Sequence, residues 1–76
     1  MTDYDQELDA CGLNCPLPVL RAKKTLDKMA SGKVLRIIAT DPGSVEDFAA
    51  LARQTGHELL ESRQEDDRYF YLMKKA

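Results

Sequence analysis

A two-layer α/β sandwich is the fold class this sequence predicts, with a four-stranded mixed sheet and both helices on one of its faces. Three observations carry that expectation. Segments of period-two apolar alternation are interleaved with segments of helical spacing, in the order β-α-β-α-β-β. The first three strands are joined through helices, which calls for right-handed crossovers and parallel strands, while the last two are close enough to form a hairpin. Finally, 76 residues, 43% of them hydrophobic, suffice for one core, so residues 1–76 read as a single domain.

Glu7 to Ala10 alternates, with Leu8 and Ala10 on one side, and predicts the first strand. The turn Cys11-Gly12-Leu13-Asn14 leads to Cys15-Pro16-Leu17-Pro18, where a proline at the first helical position costs nothing because that amide has no helical partner. Pro18 is tolerated in the first turn for the same reason. With Cys15 as N-cap, helix one is expected from Pro16 to about Met29, with Val19, Ala22, Leu26 and Met29 facing inward. Ser31-Gly32 ends it.

Lys33 to Thr40 is a β-branched run, predicting a central strand with Leu35, Ile37 and Ala39 on one side and Val34, Arg36 and Ile38 on the other. Asp41-Pro42-Gly43 is a turn. Ser44, with Asp47 three residues on, comes close to a capping box for helix two, whose expected inward stripe is Val45, Phe48, Leu51 and Ala52 and whose stop is Gly56. The third strand is expected over His57 to Arg63, the charged turn at Glu65-Asp66-Asp67, and the fourth strand over Tyr69 to Met73. The second sheet face is left partly solvated, with Val34, Arg36, Ile38 and some of the tyrosines on it.

Composition excludes several classes. Two cysteines and one histidine cannot staple a disulfide-rich secreted domain or fill a four-ligand zinc site without carboxylates. Apolar runs such as Ile37-Ile38-Ala39 and Phe48–Ala52 are far too short to cross a membrane. The start, Met-Thr-Asp-Tyr-Asp-Gln-Glu, is acidic where a signal peptide is basic and then apolar, which predicts a cytoplasmic protein with both thiols reduced. The net charge of -2 hides an asymmetry: from Arg21 to Arg36 six basic residues stand against one acid, and elsewhere five basic residues stand against twelve acids. Arg21, Lys24 and Lys28 align on one helix face, suited either to docking a protein partner or simply to solvation.

The sharpest chemical feature is Cys15 at the start of helix one. Unpaired amides and the partial positive charge of a helix N-terminus favour a thiolate, so its acidity is expected to rise, with Pro16 and Pro18 stiffening the start of the helix. Strands one and two should end at the same edge, making the Cys11–Cys15 turn and the Asp41-Pro42 turn neighbours. Three roles stand open for Asp41: bonding loop amides, accepting from a partner, or only beginning the turn. Cys11 is either a resolving thiol or a small residue that closes strand one. His57 is expected at the far end of the sheet, as a surface or hairpin-adjacent residue. A thiol with no base, metal or cofactor loop suits the carrying of a group.

The segment Leu8-Asp9-Ala10-Cys11-Gly12-Leu13-Asn14-Cys15-Pro16-Leu17-Pro18, then Lys23-Lys24 and Asp41-Pro42, resembles the TusA/SirA family of small sulfur-carrier proteins over essentially the whole chain. The resemblance implies a fold like the C-terminal domain of a translation initiation factor, with sheet order 1-2-4-3 and the fourth strand antiparallel to the others. It implies no cofactor beyond a covalent persulfide on Cys15. The implied donor is a cysteine desulfurase or a rhodanese, and the implied receiver a DsrEFH- or TusBCD-like complex or a DsrE-like protein, with no direct membrane contact and tRNA contact at most indirect. The sulfur would go to tRNA 2-thiouridine, to molybdenum cofactor or to sulfur oxidation. The wording from Leu13 to Lys24, with the added Cys11, is more similar to the sulfur-oxidiser branch.

Two other classes are weighed against this. A thiol redox protein would use Cys11 and Cys15 together, in a C-x-x-x-C spacing. An RNA-binding module is opposed by the overall negative charge, the acidic first strand and the lack of a Gly-x-x-Gly loop.

Overall fold

A computed structural model describes residues 4–76; residues 1–3, part of the acidic start behind the cytoplasmic expectation, lie outside the described residues. The elements are β1 (Gln6–Ala10), α1 (Leu17–Asp27), β2 (Val34–Ala39), α2 (Ser44–Thr55), β3 (Glu58–Glu65) and β4 (Arg68–Lys74). The sheet order is β1-β2-β4-β3, with β1 and β2 parallel and β4 antiparallel to both of its neighbours. This is the expected α/β sandwich. Among the described residues no helix is long and apolar enough to cross a membrane.

The core forms where the helix stripes meet the inward face of the sheet. β2 supplies Leu35, Ile37 and Ala39, β4 supplies Tyr69, Tyr71 and Met73, and the helices supply Ala22, Leu26, Phe48 and Leu51. Phe48 stacks on Tyr71 with ring centroids 4.5 Å apart. Burying a side chain such as Phe48 or Leu51 stabilises by about 1.5–3 kcal/mol, more than a helix cap at about 1 kcal/mol, so packing decides how α2 is placed.

That ranking explains a correction at the start of α2. The expected capping box does not form: Gly43 occupies the N-cap with no side-chain cap bond. Ser44 is buried and its hydroxyl meets the Tyr71 hydroxyl at 2.7 Å, while Asp47 turns to a different partner described below. Gly56, at φ 81°, ends the helix as expected, its N–H donating to the Ala52 carbonyl at 3.0 Å.

Helix one is also shorter than expected. Its N-cap is Pro16, so Cys15 lies one residue outside, and it ends at Asp27, where Lys28 and Met29 donate to the carbonyls three residues back in a tightened last turn. Pro18, read as merely tolerated, is buried in the inward stripe; Val45, expected inward, is 43% exposed. In β3 the pairing steps from Leu59 opposite Met73 to Glu61 opposite Leu72, leaving Leu60 as the extra residue of a bulge and exposed.

On the other face of the sheet, Arg36 bonds Glu7 at 2.8 Å and lies 5.4 Å from the Tyr4 ring and 5.3 Å from the Phe70 ring. Of the tyrosines only Tyr4 belongs to this face, since Tyr69 and Tyr71 turn inward. His57 lies at the end of the sheet opposite Cys15, as expected, next to the β3–β4 hairpin and buried, so the second of its two expected settings holds and the surface one does not. Its Nδ1 accepts the Ala76 N–H at 3.0 Å, and burial holds its pKa below the ordinary value.

The Ser44–Tyr71 pair yields a stability test. Tyr71→Phe strands a buried serine hydroxyl and should cost about 1–3 kcal/mol in urea unfolding, whereas adding Ser44→Ala should return part of that loss. Strictly additive losses in the double variant would show that the two hydroxyls do not depend on each other.

Candidate functional site

Parallel pairing brings the carboxyl ends of β1 and β2 to one edge, and the loops that follow them interlock there. Gly12, at φ 80°, turns the first loop in a conformation that favours glycine, and its N–H donates to Thr40 Oγ1 at 2.9 Å. The Cys11 N–H donates to Asp9 Oδ1 at 3.0 Å. The Cys15 N–H donates to Asp41 Oδ2 at 2.9 Å, which realises the first of the three roles left open for Asp41. Pro42 follows at the exposed surface, and the Cys15–Pro16 peptide is cis.

Gly43 leaves room for both loops. A Cβ there would stand 3.1 Å from Asp41 Oδ2 and 3.5 Å from Cys15 Cβ. The glycine therefore serves close approach and not backbone conformation, since its φ of -64° suits any residue.

Cys15 is exposed, and its Sγ donates to Asp47 Oδ2 in the first turn of α2. The expectation of a thiolate-favouring site is corrected by this contact. The hydrogen bond to Asp47 pushes the thiol pKa up, with burial next and the charges of Asp47 and Asp41 adding to it. The helix end has little to set against two carboxylates: Pro16 and Pro18 carry no N–H, and the Leu17 N–H is taken by the Asn14 carbonyl at 2.8 Å.

Cys11 is exposed and unbridged, so both cysteines are free thiols. Burial raises its pKa, followed by its interaction with Asp9. Among the described residues no group of three or more His, Cys, Asp or Glu is arranged to hold a metal ion. Arg21, Lys24 and Lys28 flank a groove of about 240 Å³ whose other wall is Gln6 and Leu8 of the edge strand β1. The basic face thus runs beside the sheet edge, away from the sulfur.

A second groove of about 330 Å³ lies between the helices and starts at the sulfur's neighbours Pro16 and Asp47, continuing along Leu20, Lys23, Leu51 and Gln54. Leu17, Leu20 and Val45 are all 43–53% exposed at this end. Neither Asp47, Gly43 nor this apolar rim emerges from the sequence pattern. The usable signals are Leu17 and Leu20, which fall off the inward stripe, and the position of Asp47 one helical turn beyond a loop already placed beside Cys15.

An exposed thiol with an acceptor carboxylate, and with the single histidine at the other end of the sheet, is suited to taking up and passing on a group. The tightness at Gly43 gives a test. Gly43→Ala would ordinarily stabilise by about 0.4–1 kcal/mol; here it should destabilise, and should become neutral or stabilising when Asp41→Ala is added. A gain in thermal stability from Gly43→Ala alone would rule out the tight contact.

A family model for sulfurtransferase TusA matches residues 6–75. The chain is 66% identical over 76 residues to the sulfur carrier protein TusA of Allochromatium vinosum, covering 100% of both. It is 54% identical over 61 residues to a putative sulfur carrier protein of Neisseria meningitidis serogroup A, covering 80% of this chain and 82% of that one. The crystal structure of a SirA-like protein from Desulfitobacterium hafniense superposes with a TM-score of 0.82 at 26% identity, over 92% of this chain and 96% of the other. The expected resemblance holds at the level of whole-chain identity and of fold, and the chain belongs to the sulfurtransferase TusA family.

Proposed function

We propose that this chain is a sulfur carrier in which Cys15 accepts sulfane sulfur as a persulfide and passes it to an acceptor protein. The observation that carries the reading is an exposed thiol at the crossing of two loops, without a histidine base beside it, in a member of the TusA family. A group carrier needs reach and a fixed sulfur more than a multi-step catalytic site.

The transfer balances without an added oxidant. The Cys15 sulfur attacks the outer sulfur of the donor's persulfide, a new S–S bond forms, the donor's S–S bond breaks, and the electron pair and the Cys15 proton leave with the donor thiol. The second step repeats the exchange towards the receiver. Pro16 and Pro18 hold the start of α1, Asp41 and Pro42 fix the loop, and Cys11 is auxiliary. Arg21, Lys24 and Lys28 steer an acidic partner. The donor is a cysteine desulfurase or a rhodanese, the receiver a sulfur-acceptor protein of a DsrE-like or TusBCD-like kind, and the compartment a reducing cytoplasm. Whether the sulfur goes on to dissimilatory oxidation or to tRNA 2-thiouridine is set by the receiver, because the carrier's step is the same.

Incubation with a loaded rhodanese should add a reducible ~32 Da, one sulfur, to the protein and nothing to Cys15→Ser. Cys11→Ser should load nearly as well as the parent chain; loss of loading in a folded Cys11→Ser variant would make this a two-thiol device. Arg21→Glu with Lys24→Glu should slow transfer from the rhodanese several-fold at low salt and less at high salt, without changing alkylation of Cys15 by a neutral reagent. Equal slowing of both reactions would reduce the basic face to a solvated helix surface.

A further inference from the structure

The Asp47 carboxylate touches the reactive sulfur, yet the carrier chemistry does not use it. It stands at the first turn of α2, half-buried, and receives the Cys15 S–H directly. Its position is over-determined. Phe48, the next residue, is fully buried and stacked on Tyr71, and Ser44 one turn back is bonded to the same tyrosine, so the turn that carries Asp47 is pinned to the sheet. Cys15 is held from its own side by the bond from its N–H to Asp41. Sulfur and carboxylate are therefore held against each other from both sides, by the packing of α2 on the sheet and by the bond of the Cys15 loop to Asp41.

The charges that shift the acidity of the sulfur act in one direction. Asp47 comes from α2 and Asp41 from the β2–α2 turn, and both disfavour a negative sulfur. β1 contributes Asp9, whose carboxylate is engaged by the Cys11 N–H. α1 contributes Lys23, an exposed cation on the wall of the groove that Asp47 also lines.

We propose that Asp47 is a positioning residue that latches the resting Cys15 in its S–H form and admits partners whose approaching surface carries a cation able to take the carboxylate over. The proposal rests on the sulfur-carrier reading and adds the chemistry of the partner: a basic group beside the donor or receiver sulfur, within hydrogen-bond reach of Asp47 in the docked pair. Once a lysine or arginine engages Asp47, the acceptor that held the proton is occupied and the field opposing the thiolate is cancelled. The proton then leaves with the donor thiol, as in the balanced exchange above. A carrier built this way is quiet in isolation and reactive when docked.

The test uses the full chain with Cys11→Ser, so that one thiol is read. In Asp47→Asn the pH at half-maximal alkylation by iodoacetamide should fall by about one unit, which corresponds to a thiolate fraction about tenfold larger at pH 7 and a several-fold faster reaction, because the less basic thiolate is the weaker nucleophile. The preference of Cys15 for a cationic over an anionic methanethiosulfonate at low salt should drop several-fold, a discrimination that a purely structural role would leave alone. Asp47→Ser, which keeps a polar residue in the first turn, should behave in the same way and covers the case of an asparagine variant that does not fold. An unchanged pH profile and an unchanged reagent preference in a folded variant would overturn the latch. Loading of the parent chain by inorganic polysulfide tests the carrier reading separately: loading with an unmoved alkylation profile removes only the latch, and a moved profile without loading removes only the carrier.

Discussion

The parallel pairing of β1 with β2 is the constraint on which the rest of this molecule depends. Leu8 lies opposite Ile37 and Ala10 opposite Ala39, so both strands reach the same edge and release their loops side by side. Everything chemical then follows within a few residues: Thr40 meets Gly12, Asp41 meets the Cys15 amide, and α2 starts close enough for Asp47 to touch the sulfur. A one-residue slip of register would carry each side chain of β1 to the opposite face and unmake all three contacts.

Electrostatics at this edge is decided by proximity and not by secondary structure. The end of a helix acts as a partial charge of about half a unit, whereas two whole carboxylates lie beside the same sulfur, one of them in direct contact. Two prolines further deplete the first turn of donors. A cysteine at a helix start is therefore an incomplete description of reactivity; the residues that the next crossover delivers to the same place outweigh it.

The parts of this structure legible in the sequence are those set by periodicity and by glycine. Alternation in Leu35, Ile37 and Ala39, helical spacing in Ala22 and Leu26, and Gly56 after α2 specify the layers, and the strand–helix–strand rule then places Asp41 beside Cys15. What escapes is decided by tertiary competition. Ser44 and Asp47 have the spacing of a local cap, yet a buried tyrosine hydroxyl and a thiol claim their side chains. His57 reads as a surface or hairpin-adjacent residue because nothing in its neighbours shows that the chain runs on past β4 beside it, where the Lys75 N–H donates to the Lys33 carbonyl and the Ala76 N–H donates to the imidazole.

The bond between Ser44 and Tyr71 has a practical side. The chain contains no tryptophan and three tyrosines, of which Tyr69 and Tyr71 are buried under the helices. Tyr71, stacked on Phe48 and bonded to the first residue of α2, is a chromophore held in a fixed, asymmetric setting at the base of the turn that carries Asp47. Near-ultraviolet dichroism and tyrosine emission consequently give the molecule a label-free optical reporter of whether that turn is docked, without a probe attached anywhere near the sulfur.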